Sequence, residues 1–227
     1  MPPASEPLRI GAVILAAGAS RRMGRNKMLL PVTGDPMVRR TVRAALDAGL
    51  EPVIVVLGHE AQRVREALAG LPCAFTESDD FTGPTSASLH AGLRALDRWD
   101  PTRDAVPDDA RWGVGAAARQ GSTPTRPVDA AVVLLGDMVH VTADMIAALA
   151  RSARTGRAPL EVSRYGDVLA PPLLFRRALW PELLAWTGEG CGKTVVRAHE
   201  AEATIHDWPV EALRDVDTPA DYEALTR

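Results

Sequence analysis

Three short apolar runs constrain the fold most strongly: Ile10-Gly-Ala-Val-Ile-Leu15, Pro52-Val-Ile-Val-Val-Leu57 and Ala130-Ala-Val-Val-Leu-Leu135. None shows polar alternation, and each ends in loop chemistry. A strand buried on both faces reads this way, because helices cover it from either side. Between the runs, apolar residues recur at helical spacing. Val38, Val42, Ala45 and Leu46 share one face, with Arg39, Arg40, Arg43 and Asp47 on the other; Leu89, Leu93 and Leu96 repeat the pattern, as do Met145, Ile146 and Leu149. Strands alternating with helices predict an α/β fold, a Rossmann-like three-layer sandwich around a mostly parallel sheet.

The chain has 227 residues, of which 46% are hydrophobic and 24% charged, a size suited to one such domain. The expected organisation is a flexible tail over residues 1–8, a domain over 9–227, and an inserted surface loop over about 98–127 that is rich in Pro, Gly, Asp and Arg. From Glu161 to Phe175 the pattern turns strand-like around Gly166 and Asp167, which suggests an antiparallel excursion over the site. Cys73 and Cys191 have neither CxxC nor Cys/His spacing, so no disulfide framework or zinc site is expected. The net charge of -3 gives no global reason to bind nucleic acid or an anionic membrane. The run Ile10–Ala19 is apolar enough to imitate a secretory segment, but Glu6 precedes it and the basic cluster follows it. No stretch reaches the roughly 18 apolar residues of a membrane span. A soluble cytoplasmic protein acting on small molecules is expected.

The segment with most chemical content follows the first run: Leu15-Ala16-Ala17-Gly18-Ala-Ser20-Arg21-Arg22-Met-Gly24-Arg25-Asn-Lys27. Small residues after a buried strand let the backbone approach a ligand, and successive N–H groups form a nest for phosphate oxygens. Arg22 and Lys27 add a guanidinium and an ammonium suited to a triphosphate. The plainer alternative is a tight turn with solvated basic residues. GxGxxG is absent, as is a Walker Lys-Ser or Lys-Thr after the last glycine. Thr187-Gly-Glu-Gly-Cys-Gly-Lys193-Thr194 imitates a Walker loop, but Thr187 replaces its first glycine and a helical segment, not a strand, precedes it.

Asp137, after Gly136 at the end of the third run, stands where a carboxylate holds Mg²⁺ against phosphates, or simply caps a turn. Asp217, in Asp215-Val-Asp217-Thr-Pro219, is either a second metal contact or, with Thr218, a helix cap. Ser86 and Ser88, in Gly83-Pro-Thr85-Ser86-Ala-Ser88-Leu89, offer hydroxyls at a helix start, for capping or for a nucleobase edge. The five histidines lack HxxxH spacing and read as structural or surface residues.

These motifs resemble the MobA-like NTP transferases, and among them most closely the molybdenum cofactor cytidylyltransferases. The resemblance runs from about Ile10 to about Tyr222 and rests chiefly on Leu15 to Lys27, with support from Gly83–Leu89, Leu135-Gly-Asp137-Met and Asp215–Tyr222. It implies a nucleotide-diphospho-sugar transferase type of fold. Ala16-Ala17-Gly18 implies CTP over GTP. The resemblance further implies that Gly18, Arg22 and Lys27 hold the triphosphate, that Asp137 binds Mg²⁺, and that Ser86 and Ser88 orient the base. A terminal phosphate of molybdopterin would attack the α-phosphorus and release pyrophosphate, with a molybdenum hydroxylase as a recipient of the product. On the acceptor side the sequence departs from the family: Val139 replaces a proline, Ala170-Pro-Pro172 lacks a polar residue, and Glu189 and Lys193 replace an Asp and an Arg. A sugar or alditol phosphate transferase, a cofactor-binding chaperone and a nicotinamide or flavin oxidoreductase are the competing readings.

Overall fold

The computed structural model describes residues 6–78, 80–100, 126–214 and 216–226. Most of the expected tail and inserted loop lies outside them. The chain folds in the order β1 (Ile10–Leu15), β2 (Pro31–Val32), β3 (Asp35–Pro36), α1 (Met37–Asp47), β4 (Val53–Leu57), α2 (Ala61–Ala67), β5 (Ala74–Glu77) and α3 (Thr85–Asp97). It continues with β6 (Ala130–Leu135), α4 (Ala143–Thr155), β7 (Leu160–Tyr165), β8 (Val168–Arg176), α5 (Trp180–Ala185), α6 (Cys191–Ala198), β9 (Thr204–Trp208) and α7 (Pro219–Thr226).

Seven strands form one sheet in the order β5-β4-β1-β6-β8-β7-β9, and β2 and β3 form a separate hairpin. β1 pairs in parallel with β4 and β6, β4 with β5, and β7 with β9; β8 alone among the seven runs antiparallel to its neighbours. The three apolar runs are thus the three central parallel strands. The chain first builds outward from β1 to β4 and β5, then returns through α3 to place β6 on the other side of β1. This reversal makes a crevice outside the carboxyl ends of β1 and β6, the position where open α/β sheets bind ligands.

Each run is buried because both faces are covered. Ile10, Ala12 and Ile14 of β1 face α1 and α4 through Val38, Val42, Ile146 and Leu149. Val13 and Leu15 face α3, α5 and α6 through Leu89, Leu93, Leu183 and Val195. The segment from Glu161 to Phe175 does not pass over the site as an excursion. It forms β7 and β8 within the main sheet, because Leu173 and Phe175 fill one core and Leu174 the other, which requires helices on both sides.

α3 presses hard on the sheet. A Cβ on Gly92 would overlap Val13 Cγ1 and stand 3.0 Å from Val56 Cγ2. Gly92→Ala is therefore expected to overpack this layer and cost about 1–3 kcal/mol, read as a lower urea midpoint. An unchanged midpoint would mean that α3 does not lie this close to β1.

Candidate active site

The loop after β1 is held in shape by its own polar side chains. Asn26 is 4% exposed; its Oδ1 accepts from Met28 N at 3.1 Å, and its Nδ2 donates to His59 O at 3.2 Å. Ser20 Oγ accepts from Lys27 N at 3.1 Å, with Ser20 itself in the left-handed region at φ 50°. The loop is pinned to the end of β4 by His59 N donating to Ala17 O at 3.0 Å, and to the end of β6 by Gly136 N donating to Leu15 O at 2.9 Å. Glycine is needed where these backbones meet: a Cβ on Gly58 would lie 2.6 Å from Ala17 O, and one on Gly136 would lie 2.9 Å from Met28 Sδ.

Leu15, Ala16 and Ala17 are buried, so only their backbone faces the crevice. Gly18 is exposed, and a Cβ there would meet no atom within 4 Å. Open space beside the loop backbone begins at that residue.

Lys27 lies under this loop with its side chain 15% exposed. Its ammonium forms an ion pair with Asp137, which β6 delivers, and another at 3.0 Å with Asp217 Oδ1, which the segment before α7 delivers. Arg22 Nη2 reaches Asp217 Oδ2 at 2.7 Å, although its side chain is 72% exposed. The structure thus brings Arg22, Lys27, Asp137 and Asp217 together. Burial pulls the Lys27 ammonium down, but the Asp137 and Asp217 carboxylates outweigh it and leave its pKa raised. The hydrogen bond from Lys27 holds Asp217 below the ordinary carboxylate value.

Asp217 does not cap α7. Thr218 does: its Oγ1 accepts from Asp221 N at 3.3 Å, while Asp221 Oδ2 accepts from Thr218 N at 2.8 Å, the reciprocal pattern of a capping box. Asp217 is freed to face the cations.

Ser86 and Ser88 are buried at the start of α3, at 3% and 8% exposure. Ser86 Oγ accepts from Gly188 N at 3.1 Å, and Ser88 donates to Ser78 Oγ at 3.3 Å. Glu189 reaches the same helix start, accepting from Thr85 Oγ1 at 3.1 Å. The Walker-like segment therefore serves as a partner of α3. Asn26 and the Thr85–Glu189 contact were not singled out as site features from the sequence. Asn26 had a local signal, a short polar side chain just before an apolar turn, whereas Thr85 and Glu189 are 104 residues apart.

Among the described residues no group of three or more His, Cys, Asp or Glu side chains could hold a metal, and no helix is long and apolar enough to cross a membrane. Asp137 and Asp217 offer two hard oxygen donors touching one nitrogen. That pair suits Mg²⁺, which commonly takes one or two carboxylates and completes its shell with water and substrate phosphates.

The ion pairs predict an acid-sensitive component of stability. Asp217, with its pKa lowered from 3.8, stabilises the fold above that value and loses the contribution as pH falls through the lowered one. Lys27, raised above 10.5, keeps its contribution until pH climbs through the raised value. Urea denaturation from about pH 6 to about pH 2 should therefore show a steeper acid loss for wild type than for Asp217→Asn. Parallel curves would place Asp217 outside the ion-pair network.

Over 225 residues the chain is 29% identical to the purine catabolism protein PucB of Bacillus subtilis, covering 97% of each. It is 41% identical over 92 residues to the bifunctional protein GlmU of Cupriavidus pinatubonensis, a match to only 20% of that protein. Among solved structures, Rv0371c of Mycobacterium tuberculosis superposes with a TM-score of 0.73 at 24% identity, covering 97% of this chain and 98% of that one. The nucleotidyl transferase Mth528 of Methanothermobacter superposes at 0.69 with 22% identity, covering 96% of each. The family model for the MobA-like NTP transferase domain matches residues 12–203, and the chain belongs to that family.

Proposed function

We propose that this protein is a Mg²⁺-dependent nucleotidyltransferase that uses CTP in preference to other nucleoside triphosphates and transfers CMP to a phosphorylated acceptor, molybdopterin cofactor foremost, releasing pyrophosphate. The observation that carries the reading is the Lys27 ammonium held between Asp137 and Asp217 at the switch point of the sheet. Ala16-Ala17-Gly18 supports CTP through the family resemblance. A Rv0371c structure determined in complex with manganese supports a divalent cation. The full-length relative named for purine catabolism fits a product passed to a molybdenum hydroxylase.

Asp137 and Asp217 would hold the metal, which when bound supplies positive charge to the phosphate oxygens. The remaining work falls to the chain. An ammonium has three N–H donors. Two serve the carboxylates in the ion pairs; with Asp137 and Asp217 holding a metal instead, the ammonium would be released to a phosphate oxygen, where it meets the charge that grows on departing pyrophosphate. The exposed Arg22 guanidinium, beside Asp217, would close over the triphosphate. An oxygen of the acceptor phosphate attacks the α-phosphorus, the α–β anhydride bond breaks, and its electron pair leaves with pyrophosphate. Ser86 accepts from Gly188 N, so its own O–H remains available to a base edge. Ser88, spent on Ser78, positions the helix start instead.

Pyrophosphate release with Mg²⁺ and molybdopterin cofactor should occur with CTP and not with GTP or ATP. Release with a sugar or alditol phosphate, and none with molybdopterin, would transfer the assignment to that acceptor. Asp137→Asn should nearly abolish turnover, and Lys27→Ala should lower kcat roughly 10²–10³-fold, as loss of a transition-state charge contact does. A less than about threefold effect at Lys27 would remove it from the site.

A further inference from the structure

The loop that precedes Lys27 has little packing of its own. Of residues 18–25 only Met23 is buried. A cavity of about 480 Å³ opens between this loop and the turn from β4 to α2, lined by Ser20 and Asn26 on one side and by His59 and Glu60 on the other.

Asn26 bridges the two sides. Its Nδ2 donates to His59 O at 3.2 Å, and its side chain also hydrogen-bonds the Glu60 carboxylate. In the other direction its Oδ1 accepts from Met28 N at 3.1 Å and its backbone O accepts from Leu29 N at 3.2 Å, so the same residue starts the tight turn Lys27–Leu29. Capping alone does not call for asparagine, since Ser, Thr and Asp cap a helix start as well. Only asparagine among them adds amide N–H donors, and here those donors reach the neighbouring turn. At 4% exposure the amide is withdrawn from water, which is unfavourable unless both of its ends are bonded.

Lys27 follows directly. Its own backbone groups are spent locally, the N–H on Ser20 Oγ at 3.1 Å and the carbonyl on Leu30 N at 3.1 Å. The fixed points on either side of it are therefore Asn26, tied to the β4–α2 turn, and Met28, buried in the core. A lysine stem is flexible, so its ammonium meets Asp137 and Asp217 together only while the backbone that carries it is held.

We propose that Asn26 is a positioning residue for the transfer centre: its bridge to His59 keeps the Lys27 backbone where the ammonium meets both carboxylates. Its effect on turnover rests on the nucleotidyltransferase reading; its hold on the ammonium does not.

The test uses Asn26→Ser and Asn26→Thr in the full chain, each of which keeps a hydroxyl to cap Met28 N and removes the amide donors. The chain has two lysines, Lys27 and the exposed Lys193. Nitrogen-15 NMR of the side-chain ammonium groups at about pH 6 should show one slowly exchanging signal in wild type, absent from Lys27→Ala, whose exchange with water is at least about fivefold faster in both Asn26 variants. Turnover should fall about tenfold or more, as misplacement of a catalytic group does, with no further loss when Asn26→Ser is added to Lys27→Ala. Unchanged exchange at Lys27, or an equal fractional loss of kcat in the Lys27→Ala background, would overturn the proposal. Urea denaturation checks each variant; if one fails to fold the other decides, and failure of both would make Asn26 a folding residue and overturn the proposal as well. Should no acceptor support pyrophosphate release, the functional reading falls while the ammonium exchange still decides the role of Asn26.

Discussion

Asp137 and Asp217 come from segments 80 residues apart and share a site because the Lys27 ammonium stands between them. Two carboxylates about 5 Å apart repel by roughly 3 kcal/mol at an effective dielectric near 20, so the pair needs a cation in place. Lys27 supplies it, and its raised pKa records that the two carboxylates outweigh the penalty of burial. In the proposed reaction Asp137 and Asp217 would hold the metal, and the same ammonium would be released toward a phosphate oxygen. The ion-pair arrangement and the proposed catalysis then rest on one residue.

The fold fixes these three groups from three directions. β1 and β6 are neighbours in register, which puts the loop carrying Lys27 beside the strand end carrying Asp137. Asp217 arrives from the far end of the chain, and the Thr218–Asp221 capping box starts α7 without spending the Asp217 carboxylate. Tyr222 ties α7 back to the loop, donating from its hydroxyl to Pro31 O at 2.7 Å. The site is tightly packed at Gly58 and Gly136 and open at Gly18.

The central strands and the candidate cations and carboxylates were legible in the sequence for a common reason. A strand buried on both faces must be apolar throughout, and the residues just beyond its carboxyl end have little freedom of place. β7 was legible as a strand but not in its place within the main sheet, and β9 was not read. Glu161 of β7 is fully buried yet charged in type, its Oε2 2.8 Å from His206 Nε2 of β9, so a polar pair sits where the core covers both strands. β5 is a half-buried edge, and its Ala-Phe-Thr-Glu sequence carries no buried-strand signature. Asp217 was legible as a residue of interest but not in role, because which of two adjacent polar residues caps a helix depends on the direction in which the preceding chain arrives. The Ser86–Gly188 and Thr85–Glu189 contacts join segments about a hundred residues apart, and nothing local announces them.

If Lys27 neutralises Asp137 and Asp217 until a triphosphate draws it away, divalent-metal affinity must depend on nucleotide. Calorimetric titration of Mn²⁺ into the protein with and without CTP measures this directly. The account predicts weak binding to the protein alone and at least about tenfold tighter binding, beyond that of CTP itself, in the presence of CTP, with the gain lost in Asp137→Asn. Metal affinity that is the same with and without nucleotide, or unaffected by Asp137→Asn, would contradict it.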